Sequence, residues 1–575
     1  MSRKFSLGPY LPSLAILIAA WFIFSHLGDF SLLTPDEGRN AEVGREMKVS
    51  GNWLVPTYDG ATYLDKPAFF FKAVGISLQS FGDTEWAARL PSAFFAFALI
   101  LATFAFCSRV YDPPTAAIIS VIAASTPLFF AFSKIVIFDM TLAFFVCSAI
   151  FSSYLAEETD NPTLQARWYA LSAACAGIAT IVKGPVGFLV PMLVMTTFNW
   201  IDGRTAAIRR FFTLRNALIF LAVVLPWFIG LSLACPDFPY YGIMKESIAR
   251  FTTTEFRRTQ PWYFYGLILA TCFFPWSLAL PAWAPIAWKG RGKLSRPDRL
   301  WIVWLVVVVL FFSVSQSKLP GYILSAAIAV AAIVGRFILN ALRHSEHPAA
   351  HSFRWIILSF ASFSLIISLS LIVHEPKLNY LEISHWLKPD TTERFLPLFP
   401  KIMLSFAIPA GLALTAFFLR SLKLGFIAMF ALPVMLIALS FGVISKHADI
   451  KSARPLLSEL PEGFSEQTKI ACLGCLPSGL PFYLKRNITV FTADGHELTS
   501  NYVTFSLNTG KDRPETLVPP EQLRSWLNAQ KQNVWLIAEN NRKSELETLA
   551  RDYRSTVNAL GKQYVSTLIP ANRSH

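Results

Sequence analysis

Residues 425–444 read GFIAMFALPVMLIALSFGVI, a run of twenty residues without a charged side chain. An α-helix of about twenty residues is roughly 30 Å long, which is the thickness of the hydrocarbon core of a bilayer. Similar runs recur through the first three quarters of the chain. Over all 575 residues, 54% are hydrophobic and only 15% are charged. This composition predicts a polytopic α-helical membrane protein and argues against one or two soluble domains.

Outward from that run, the hydropathy pattern predicts about thirteen transmembrane helices. The expected spans lie near residues 10–27, 90–107, 115–132, 138–155, 168–182, 186–201, 217–234, 262–284, 300–314, 321–339, 355–373, 402–419 and 425–444. The first span follows Arg3 and Lys4, as in a signal peptide, but no small-residue cleavage pattern precedes Asp29. We therefore expect it to be retained in the protein.

The net charge of +14, from 51 Lys and Arg against 37 Asp and Glu, would suggest nucleic acid binding in a soluble protein. With the N-terminus inside, however, 18 of the basic residues fall in short cytoplasmic loops. This distribution follows the positive-inside rule, so the excess charge is topological and predicts no nucleic acid partner. An odd number of spans places the C-terminus on the outer face of the membrane.

The composition changes at about His447, after which no further span occurs. We therefore divide the chain into a transmembrane domain, residues 1–446, and a soluble domain, residues 447–575. The soluble part alternates strands (469–473, 488–491, 534–538, about 564–569) with helices (479–485, 520–530, 543–553), which predicts a small α/β domain with a mostly parallel sheet. Its expected role is to pack on and support a site at the outer face.

Cys472 and Cys475 form a single Cys-x-x-Cys pair in this soluble domain. A metal site would normally need a second such pair. The remaining alternatives are a labile disulfide and two buried thiols.

The loop between the first two spans is long and carries two helical patterns. Residues 34–50, TPDEGRNAEVGREMKVS, and residues 66–81, KPAFFFKAVGISLQSF, both predict amphipathic helices along the membrane surface. Glu42, Arg45 and Glu46 at helical spacing are typical of a solvated face with ion pairs. Asp36 differs because it lies where the first span meets the outer surface. A carboxylate there can orient or deprotonate an acceptor, or stabilise a developing positive charge.

A second cluster, Tyr63-Leu64-Asp65-Lys66-Pro67, precedes the second of these helices. Neighbouring residues on a helix do not face each other, so Asp65 and Lys66 are free to reach separate partners. Lys66 is a candidate phosphate ligand, and Asp65 is a candidate ligand for a metal or a hydroxyl group.

Several other cations fall in the outer loops, against the positive-inside trend. Any one of them can be explained by a side chain that snorkels to the interface, but together they favour a bound anion, and we expect a phosphate at the membrane interface. They are Lys183, Arg250, Arg257, Arg258 and Lys318, the last with Tyr322 nearby.

Three segments carry a resemblance to a known family: residues 35–67, PDEGRNAEVGREMKVSGNWLVPTYDGATYLDKP, residues 246–251, ESIARF, and residues 317–324, SKLPGYIL. They resemble the lipid-A aminoarabinose transferases of the ArnT type, within the GT-C superfamily that includes the protein O-mannosyltransferases. The similarity also covers the thirteen-span layout and the C-terminal domain, so it is nearly full length.

This resemblance implies a GT-C fold and an inverting transfer of a sugar from undecaprenyl phosphate. The sugar would be 4-amino-4-deoxy-L-arabinose or another pentose or hexose, and the acceptor lipid A or another envelope molecule. The reaction would take place at the periplasmic face of the bacterial inner membrane, where the C-terminus also lies. Besides donor and acceptor, only membrane lipids are expected as partners, and no nucleotide is needed.

The resemblance also implies roles for single residues. Asp36 and Asp139 match the acidic positions near the reacting groups and are the expected catalytic residues. The expected substrate and phosphate ligands are Arg39, Tyr63, Lys66, Arg250, Arg258, Lys318 and Tyr322.

Two departures from the family pattern bear on a metal. Where the family has Glu before the lysine, this chain has Asp65, which we retain as the metal candidate. The family also carries histidine before the eighth span, whereas residues 237–260 contain none. A divalent metal, the only cofactor considered, would therefore lack its imidazole ligand, and an arginine could supply the charge at the phosphate instead.

Three alternatives remain open at this stage. One is a protein O-mannosyltransferase-like enzyme on the same scaffold. The second is a transporter or flippase for a lipid-linked sugar, which would normally show ionisable residues in mid-span and paired repeats. The third is a non-catalytic scaffold for envelope assembly.

Overall fold

The computed structural model describes residues 10–253, 258–374, 398–511 and 513–571. Arg257, one of the predicted outer cations, lies outside these residues. Up to residue 450 the described chain is almost entirely helical. Its α-helices are Leu11–Phe24, Asp36–Ser50, Phe69–Phe81, Glu85–Val110, Pro113–Ser125, Pro127–Ser133, Asp139–Ala156, Pro162–Lys183, Val186–Ile201, Thr205–Phe211, Leu214–Ala234, Phe238–Tyr240, Arg250–Thr252, Phe264–Thr271, Ala279–Lys289, Arg296–Val314, Leu324–Arg343, Pro348–His374, Phe399–Phe418 and Leu422–Ile450, and a π-helix covers Tyr241–Ala249.

Among the described residues, eight helical segments are long and apolar enough to cross a membrane. The number rises to ten if each of two bent helix pairs is counted as one span. The first pair, Pro113–Ser125 with Pro127–Ser133, bends by 68°, and the second, Phe264–Thr271 with Trp276–Lys289, bends by 112°. The prediction of a polytopic helical membrane protein is confirmed.

Local sequence signals explain where these helices begin. Thr84 and Asp112 accept hydrogen bonds from the backbone amides of Ala87 and Thr115, as N-cap residues do. Pro113 and Pro127 stand in the first turn of their helices, where the missing N–H costs nothing. The proline at position 127 therefore ends one helix and starts the next, which produces the bend.

The centre of the helical part is the Leu324–Arg343 helix, whose side chains are mostly buried and include many alanines. Small residues allow neighbouring helices to approach closely in a membrane protein. The Leu214–Ala234 helix lies at the opposite extreme, with only Asn216 and Leu231 buried, and presents its apolar side chains outward. Burial thus separates the helices of the core from those at the periphery.

The Asp36–Ser50 helix is buried along most of its length, so the prediction of an amphipathic surface helix is wrong for this segment. A Cβ atom on Gly38 would lie 2.6 Å from the Cα and N of Gly479, and one on Gly44 would lie 2.5 Å from Val74 Cγ1. These glycines allow the helix to lie between the C-terminal residues and the Phe69–Phe81 helix.

Glu42, Arg45 and Glu46 of this helix are buried and hydrogen-bonded, contrary to the solvated face predicted for them. Arg45 donates to both oxygens of Glu42 at 2.6 Å, and neither side chain is exposed by more than 6%. Glu46 accepts from the Thr57 hydroxyl and from the backbone of Gly60. Burial raises the pKa of Glu42 to about 8, although Arg45 opposes the shift.

The described residues contain eight strands, which form two sheets. A short hairpin pairs β1 (Thr57–Tyr58) with β2 (Ala61–Thr62) in antiparallel orientation. The C-terminal residues contribute β3 (Lys469–Leu473), β4 (Thr489–Phe491), β5 (Leu517–Val518), β6 (Val534–Glu539), β7 (Val557–Leu560) and β8 (Tyr564–Ile569). These six form one sheet in the order β5-β4-β3-β6-β8-β7. The pairs β3–β4, β3–β6 and β4–β5 are parallel, whereas β6–β8 and β7–β8 are antiparallel.

The C-terminal domain, which we define as residues 451–571, is therefore α/β. Its helices are Leu480–Leu484, Asn501–Asn508, Leu523–Asn528 and Lys543–Asp552. The predicted strands 469–473 and 564–569 occur with those bounds, whereas β5, β7 and the Asn501–Asn508 helix were not predicted. The expected boundary at residue 447 falls inside the long Leu422–Ile450 helix.

Cys472 and Cys475 are both buried free thiols. Cys472 lies on β3, and Cys475 Sγ is 3.7 Å from the carbonyl of Ile537 on β6. Of the alternatives that the sequence left open, the structure shows two buried thiols that pack in the domain core.

Candidate active site

A cavity of about 540 Å³ opens between the segment before Phe69, the end of the Pro162–Lys183 helix, the π-helix and the segment around Tyr322. We refer to it as the site cavity. Most of its lining is apolar and includes Leu189, Val224, Trp227, Phe228, Phe311 and Phe312. Its charged lining residues are Asp65, Lys66, Lys183, Glu246 and Arg250. A largely apolar cavity with a few convergent charges is the usual form of a small-molecule or lipid site.

Lys66, Glu246 and Arg250 form one cluster in the cavity wall. Glu246 Oε1 accepts hydrogen bonds from both Lys66 Nζ and Arg250 Nη1. The three side chains are 10–14% exposed. Glu246 Oε2 is buried and has no hydrogen-bond partner. Two cations therefore converge on a single carboxylate oxygen, and the other oxygen of that carboxylate is left unsatisfied.

The local chain explains this convergence. Glu246 belongs to the π-helix Tyr241–Ala249, and Arg250 follows it directly, four residues after Glu246. Side chains four residues apart on a helix are neighbours. Lys66 reaches the same point from the segment between β2 and the Phe69–Phe81 helix, and also donates to the carbonyl of Asp65 at 2.6 Å.

The two cations respond differently to burial. Burial is the largest cause that lowers the pKa of Lys66, to about 8, and the nearby Arg250 adds to it while Glu246 opposes it. For Arg250, burial also disfavours the charge, but Glu246 and Tyr322 outweigh it and raise its pKa. Arg250 is therefore the permanent charge of the cluster, whereas Lys66 can titrate.

Asp139 lies next to this cluster but is paired. Lys183 Nζ lies 2.5 Å from Asp139 Oδ1 and 4.7 Å from the ring centroid of Tyr322. Lys183 and Lys66 also flank the ring of Phe138, at 4.9 and 5.8 Å. Of the predicted residues, the structure thus brings together Lys66, Asp139, Arg250 and Tyr322, with Lys183 added as the partner of Asp139.

Asp36, Arg39 and Tyr63 form a second group, which the structure places outside the wall of the site cavity. Arg39 Nη2 lies 2.5 Å from Asp36 Oδ1, and its Nη1 donates to the carbonyl and hydroxyl oxygens of Thr499 at 2.8 Å. The guanidinium also lies 5.5 Å from the ring centroid of Tyr63. Asp36 is 51% exposed, so its carboxylate is accessible from outside.

Tyr63 connects the two groups. Its side chain is buried, and burial raises the pKa of its phenol, with Arg39 opposing the shift and Asp36 and Glu246 both adding to it. Both carboxylates are therefore electrostatic neighbours of the same ring. Tyr63 is therefore close enough to both the accessible acid and the cluster in the cavity to be influenced by their charges.

Lys318 and Arg258 are not brought to the cluster. The backbone amide of Lys318 donates to the carbonyl of Arg258 at 3.0 Å, which pairs their two segments. Lys318 is buried, Arg258 is exposed, and neither lines the site cavity. The structure gives these two predicted phosphate ligands no contact with the cavity.

Asp65 has its carboxylate engaged by the C-terminal domain. Its Oδ1 accepts from the Tyr241 hydroxyl at 2.8 Å and from the Tyr502 amide at 2.7 Å, and its Oδ2 accepts from the Asn501 amide at 3.0 Å. Within the described chain, the residues grouped closely enough to hold a metal are Asp494, His496 and Glu497, which do not include Asp65. The predicted metal role of Asp65 therefore lacks the further ligands that a cation needs.

Sequence reasoning missed the part played by Glu246, although it noted the ESIARF segment. The available signal was the spacing of four residues between Glu246 and Arg250, which predicts an ion pair on a helix. No local signal links Glu246 to Lys66, because the two residues are 180 positions apart.

The fold of the chain is similar to that of solved structures. The crystal structure of ArnT from Cupriavidus metallidurans bound to undecaprenyl phosphate matches with a TM-score of 0.79, covering 97% of this chain and 98% of that chain. The chain has the fold of ArnT. Sequence identity with this ArnT is 22%, and the apo form of the same protein matches with a TM-score of 0.77 at 21% identity, covering 97% of each chain. The GT-C fold expected from the sequence is confirmed.

Sequence comparisons support the same resemblance to ArnT. Residues 65–229 match the family model described as dolichyl-phosphate-mannose-protein mannosyltransferase. The undecaprenyl phosphate-α-4-amino-4-deoxy-L-arabinose arabinosyl transferase of Photorhabdus laumondii is 29% identical over 337 residues, which are 58% of this chain and 60% of that protein. Proteus mirabilis has a protein with the same name and the number 2, which is 29% identical over 381 residues. These are 65% of this chain and 68% of that protein. The match with the Photorhabdus protein thus spans about three fifths of its length, and the ArnT-like identification from the motifs is confirmed.

Proposed function

We propose that the protein is an inverting glycosyltransferase that moves a sugar from undecaprenyl phosphate to lipid A or another envelope acceptor. The observation that carries the proposal is the convergence of Lys66 and Arg250 on one oxygen in the wall of a largely apolar cavity. The relatives named as transferases of 4-amino-4-deoxy-L-arabinose from undecaprenyl phosphate support it. The sugar is this pentose or another pentose or hexose.

The chemistry of the cluster suits the leaving group of such a reaction. When the glycosidic bond breaks, negative charge grows on the lipid phosphate, and positioned cations stabilise that charge most strongly in a water-poor site. Lys66 and Arg250 supply two positive charges at one point. Tyr322 lies beside Arg250 and can donate a hydrogen bond to the same phosphate. The apolar remainder of the cavity accommodates the polyprenyl chain.

Asp36 is the proposed acceptor-side residue. Its carboxylate is half exposed and is oriented by Arg39. It acts as general base if the acceptor is a hydroxyl group, whereas orientation suffices if the acceptor is an anionic lipid-A phosphate. Asp139 acts in this proposal by holding Lys183 beside Tyr322. Lys318 and Arg258, which lie away from the cavity wall, have no part in the phosphate contact.

We also propose that side chains, and not a divalent cation at Asp65, provide the positive charge at the phosphate. Both oxygens of Asp65 are already engaged by three donors. A chelator such as EDTA should then leave sugar transfer unchanged. No nucleotide takes part, since the donor arrives within the membrane.

The proposed topology follows the sequence prediction. With each bent pair counted as one span the described residues have ten membrane helices, and the Leu11–Phe24, Pro162–Lys183 and Val186–Ile201 helices would bring that number to thirteen. We infer a multi-pass protein of the bacterial inner membrane, with the site cavity and the C-terminal domain on the periplasmic side.

The proposed function is tested with the purified full-length protein in lipid nanodiscs. Asp36→Asn should abolish sugar transfer from the undecaprenyl phosphate donor and leave undecaprenyl phosphate binding intact, because the neutral amide can neither take a proton from a hydroxyl acceptor nor keep the ion pair with Arg39 that orients the side chain. Asp29→Asn is the matched control, since Asp29 lies near the same end of the first helix and its side chain pairs with His26, which is not a site residue. Unchanged transfer by Asp36→Asn contradicts the role of Asp36.

A protein O-mannosyltransferase-like enzyme is the second candidate, and the family match over residues 65–229 favours it. Mass spectrometry of lipid A and of periplasmic glycoproteins, with and without the protein, separates the two. A change in protein glycans with unmodified lipid A supports this candidate. Loss of a lipid-A modification supports the first.

A further inference from the structure

Glu246 has an unusual position for a carboxylate in a phosphate site. It contacts both cations of the cluster through Oε1, while Oε2 is buried without a hydrogen-bond partner. A buried polar atom that lacks a partner is costly, and native structures retain few of them. The carboxylate therefore neutralises part of the charge that attracts a phosphate, and it does so from a poorly satisfied position.

The other charges near the cavity are each met by their own partners. Lys183 pairs with Asp139, and Asp65 accepts three hydrogen bonds from Tyr241 and the Asn501–Asn508 helix terminus. Among the described side chains, Glu246 is thus the anion that accepts hydrogen bonds from both Lys66 and Arg250. Its single negative charge lowers the attraction of the cluster for any phosphate, and lowers it twice as much for a group with two charges as for a group with one.

The proposed reaction increases the negative charge of the lipid phosphate. The donor is a phosphodiester with one negative charge. Transfer breaks the bond between the anomeric carbon and a phosphate oxygen, and the electron pair stays on that oxygen. The acceptor oxygen forms the new bond to the anomeric carbon, and a hydroxyl acceptor gives up its proton to Asp36. The lipid phosphate is left as a monoester that carries about two charges at neutral pH.

We propose that Glu246 sets the charge selectivity of the phosphate subsite, so that it favours the singly charged diester donor over the doubly charged monoester product. This inference rests on the proposed function and deepens it. In the absence of lipid, Glu246 occupies the two cations. As the product leaves, the carboxylate competes for Lys66 and Arg250 again, which promotes release. Glu246 is a specificity-determining residue in this scheme.

The test compares two lipids with the same chain: undecaprenyl phosphate, a monoester, and its methyl ester, a diester with one charge. The dissociation constant of each is measured at pH 7.5 with the full-length protein in nanodiscs. The quantity of interest is the ratio of the two constants within one protein. This ratio cancels any change in the free protein, including a change in the protonation of Lys66.

In Glu246→Gln the affinity for the monoester should rise by about tenfold or more relative to the affinity for the diester. The reason is that one unit of opposing charge at contact distance is removed. Glu246→Asp keeps the charge and should retain the wild-type ratio. Glu157→Gln is the matched control: Glu157 is also a buried acid paired with an arginine, Arg210, but it lies outside the site cavity. The same ratio in Glu246→Gln as in wild type overturns the proposal.

The wild-type protein provides a second measurement if Glu246→Gln does not fold. Between pH 5.5 and 7.5 the monoester goes from about one charge to two, while the diester keeps one. The ratio of the two dissociation constants should change by less than about threefold over this range. A rise of about tenfold in the affinity for the monoester relative to the diester overturns the proposal. If the wild-type protein binds neither lipid, the proposed function itself fails. Binding of both with an unchanged ratio in Glu246→Gln overturns only the role of Glu246.

Discussion

Asp65 Oδ1 accepts a hydrogen bond from the backbone amide of Tyr502 at 2.7 Å. Asp65 directly precedes Lys66, and Tyr502 lies in the first turn of the Asn501–Asn508 helix of the C-terminal domain. The cation that we assign to the lipid phosphate is thus one residue away from the contact that docks this domain. The C-terminal domain thereby packs against the segment that carries Lys66.

Replacing this carboxylate should weaken both docking and binding. Asp65→Asn offers one acceptor in place of two, so a buried donor loses its partner, and we expect a loss of about 1–3 kcal/mol in the free energy of unfolding. Undecaprenyl phosphate should also bind more weakly, because Lys66 is no longer held in place. Thermal unfolding in detergent and lipid binding measure the two effects. Asp494→Asn, at an exposed position of the same domain, should change neither, and equal effects from both substitutions would contradict the docking role.

A second prediction concerns the buried pair of Arg89 and Glu37. Arg89 donates to both carboxylate oxygens at 2.9 Å, and the side chains are 0% and 3% exposed. Arg89→Met leaves Glu37 buried without its counter-charge and should lower stability by about 3–5 kcal/mol. Thermal unfolding of the purified protein is the measurement. Arg524→Met breaks an ion pair with Asp552 in which both side chains are exposed, by 65% and 45%, and should cost about 1 kcal/mol or less. Similar losses for the two variants would show that burial does not matter here.

The close approach of Gly38 to Gly479 leads to a third prediction. A Cβ atom on Gly38 would lie 2.6 Å from backbone atoms that cannot move aside without shifting the C-terminal domain. Gly38→Ala should therefore lower stability by about 1–3 kcal/mol and increase proteolysis at the domain junction. Gly411→Ala adds the same methyl group within the Phe399–Phe418 helix, where it meets open space. That control should be neutral or slightly stabilising, and a folded Gly38→Ala protein of normal stability would refute the tight contact.

The titration of Lys66 predicts a pH dependence. Its pKa in the free protein is about 8, lowered first by burial and then by Arg250. A phosphate binds the charged form, so the contribution of Lys66 is fully present well below pH 8 and begins to decline as the pH approaches the pKa. Above pH 8 the lysine must take up a proton on binding, and the affinity for undecaprenyl phosphate should fall by about tenfold per pH unit.

The control for this prediction keeps the positive charge. Lys66→Arg remains charged throughout this range, so the tenfold decline per pH unit should be absent from this variant between pH 7 and pH 9. Dissociation constants at intervals of half a pH unit provide the comparison. A parallel decline in the two proteins would assign the titration to another group.

The helices and strands themselves were predictable where a local pattern defines them. The Val186–Ile201 helix, β3 and β8 occur with the predicted bounds, because an apolar run or an alternation between two turns depends only on neighbouring residues. The Asn501–Asn508 helix was missed, since its start depends on a Ser500 cap and on the distant Asp65.

The Asp36–Ser50 helix shows where local reasoning fails. Its charges predict a solvated face, yet Glu42 and Arg45 are buried. Their burial depends on the C-terminal domain and the Phe69–Phe81 helix covering the same segment from two sides. Hydropathy describes how a residue prefers to be solvated, and it does not reveal which distant surface will cover it or which partner will neutralise it.

By itself the sequence determined the membrane class, the α/β character of the C-terminal domain and the motifs that resemble ArnT, since each of these depends on local composition and spacing. Only the tertiary structure decided which charges meet. It paired Lys183 with Asp139, assigned Asp65 to the C-terminal domain, left Lys318 out of the cavity lining and placed Glu246 against Lys66 and Arg250. Electrostatic attraction acts over a few ångströms in space, and the distance along the chain, 180 residues between Lys66 and Glu246, carries no record of it.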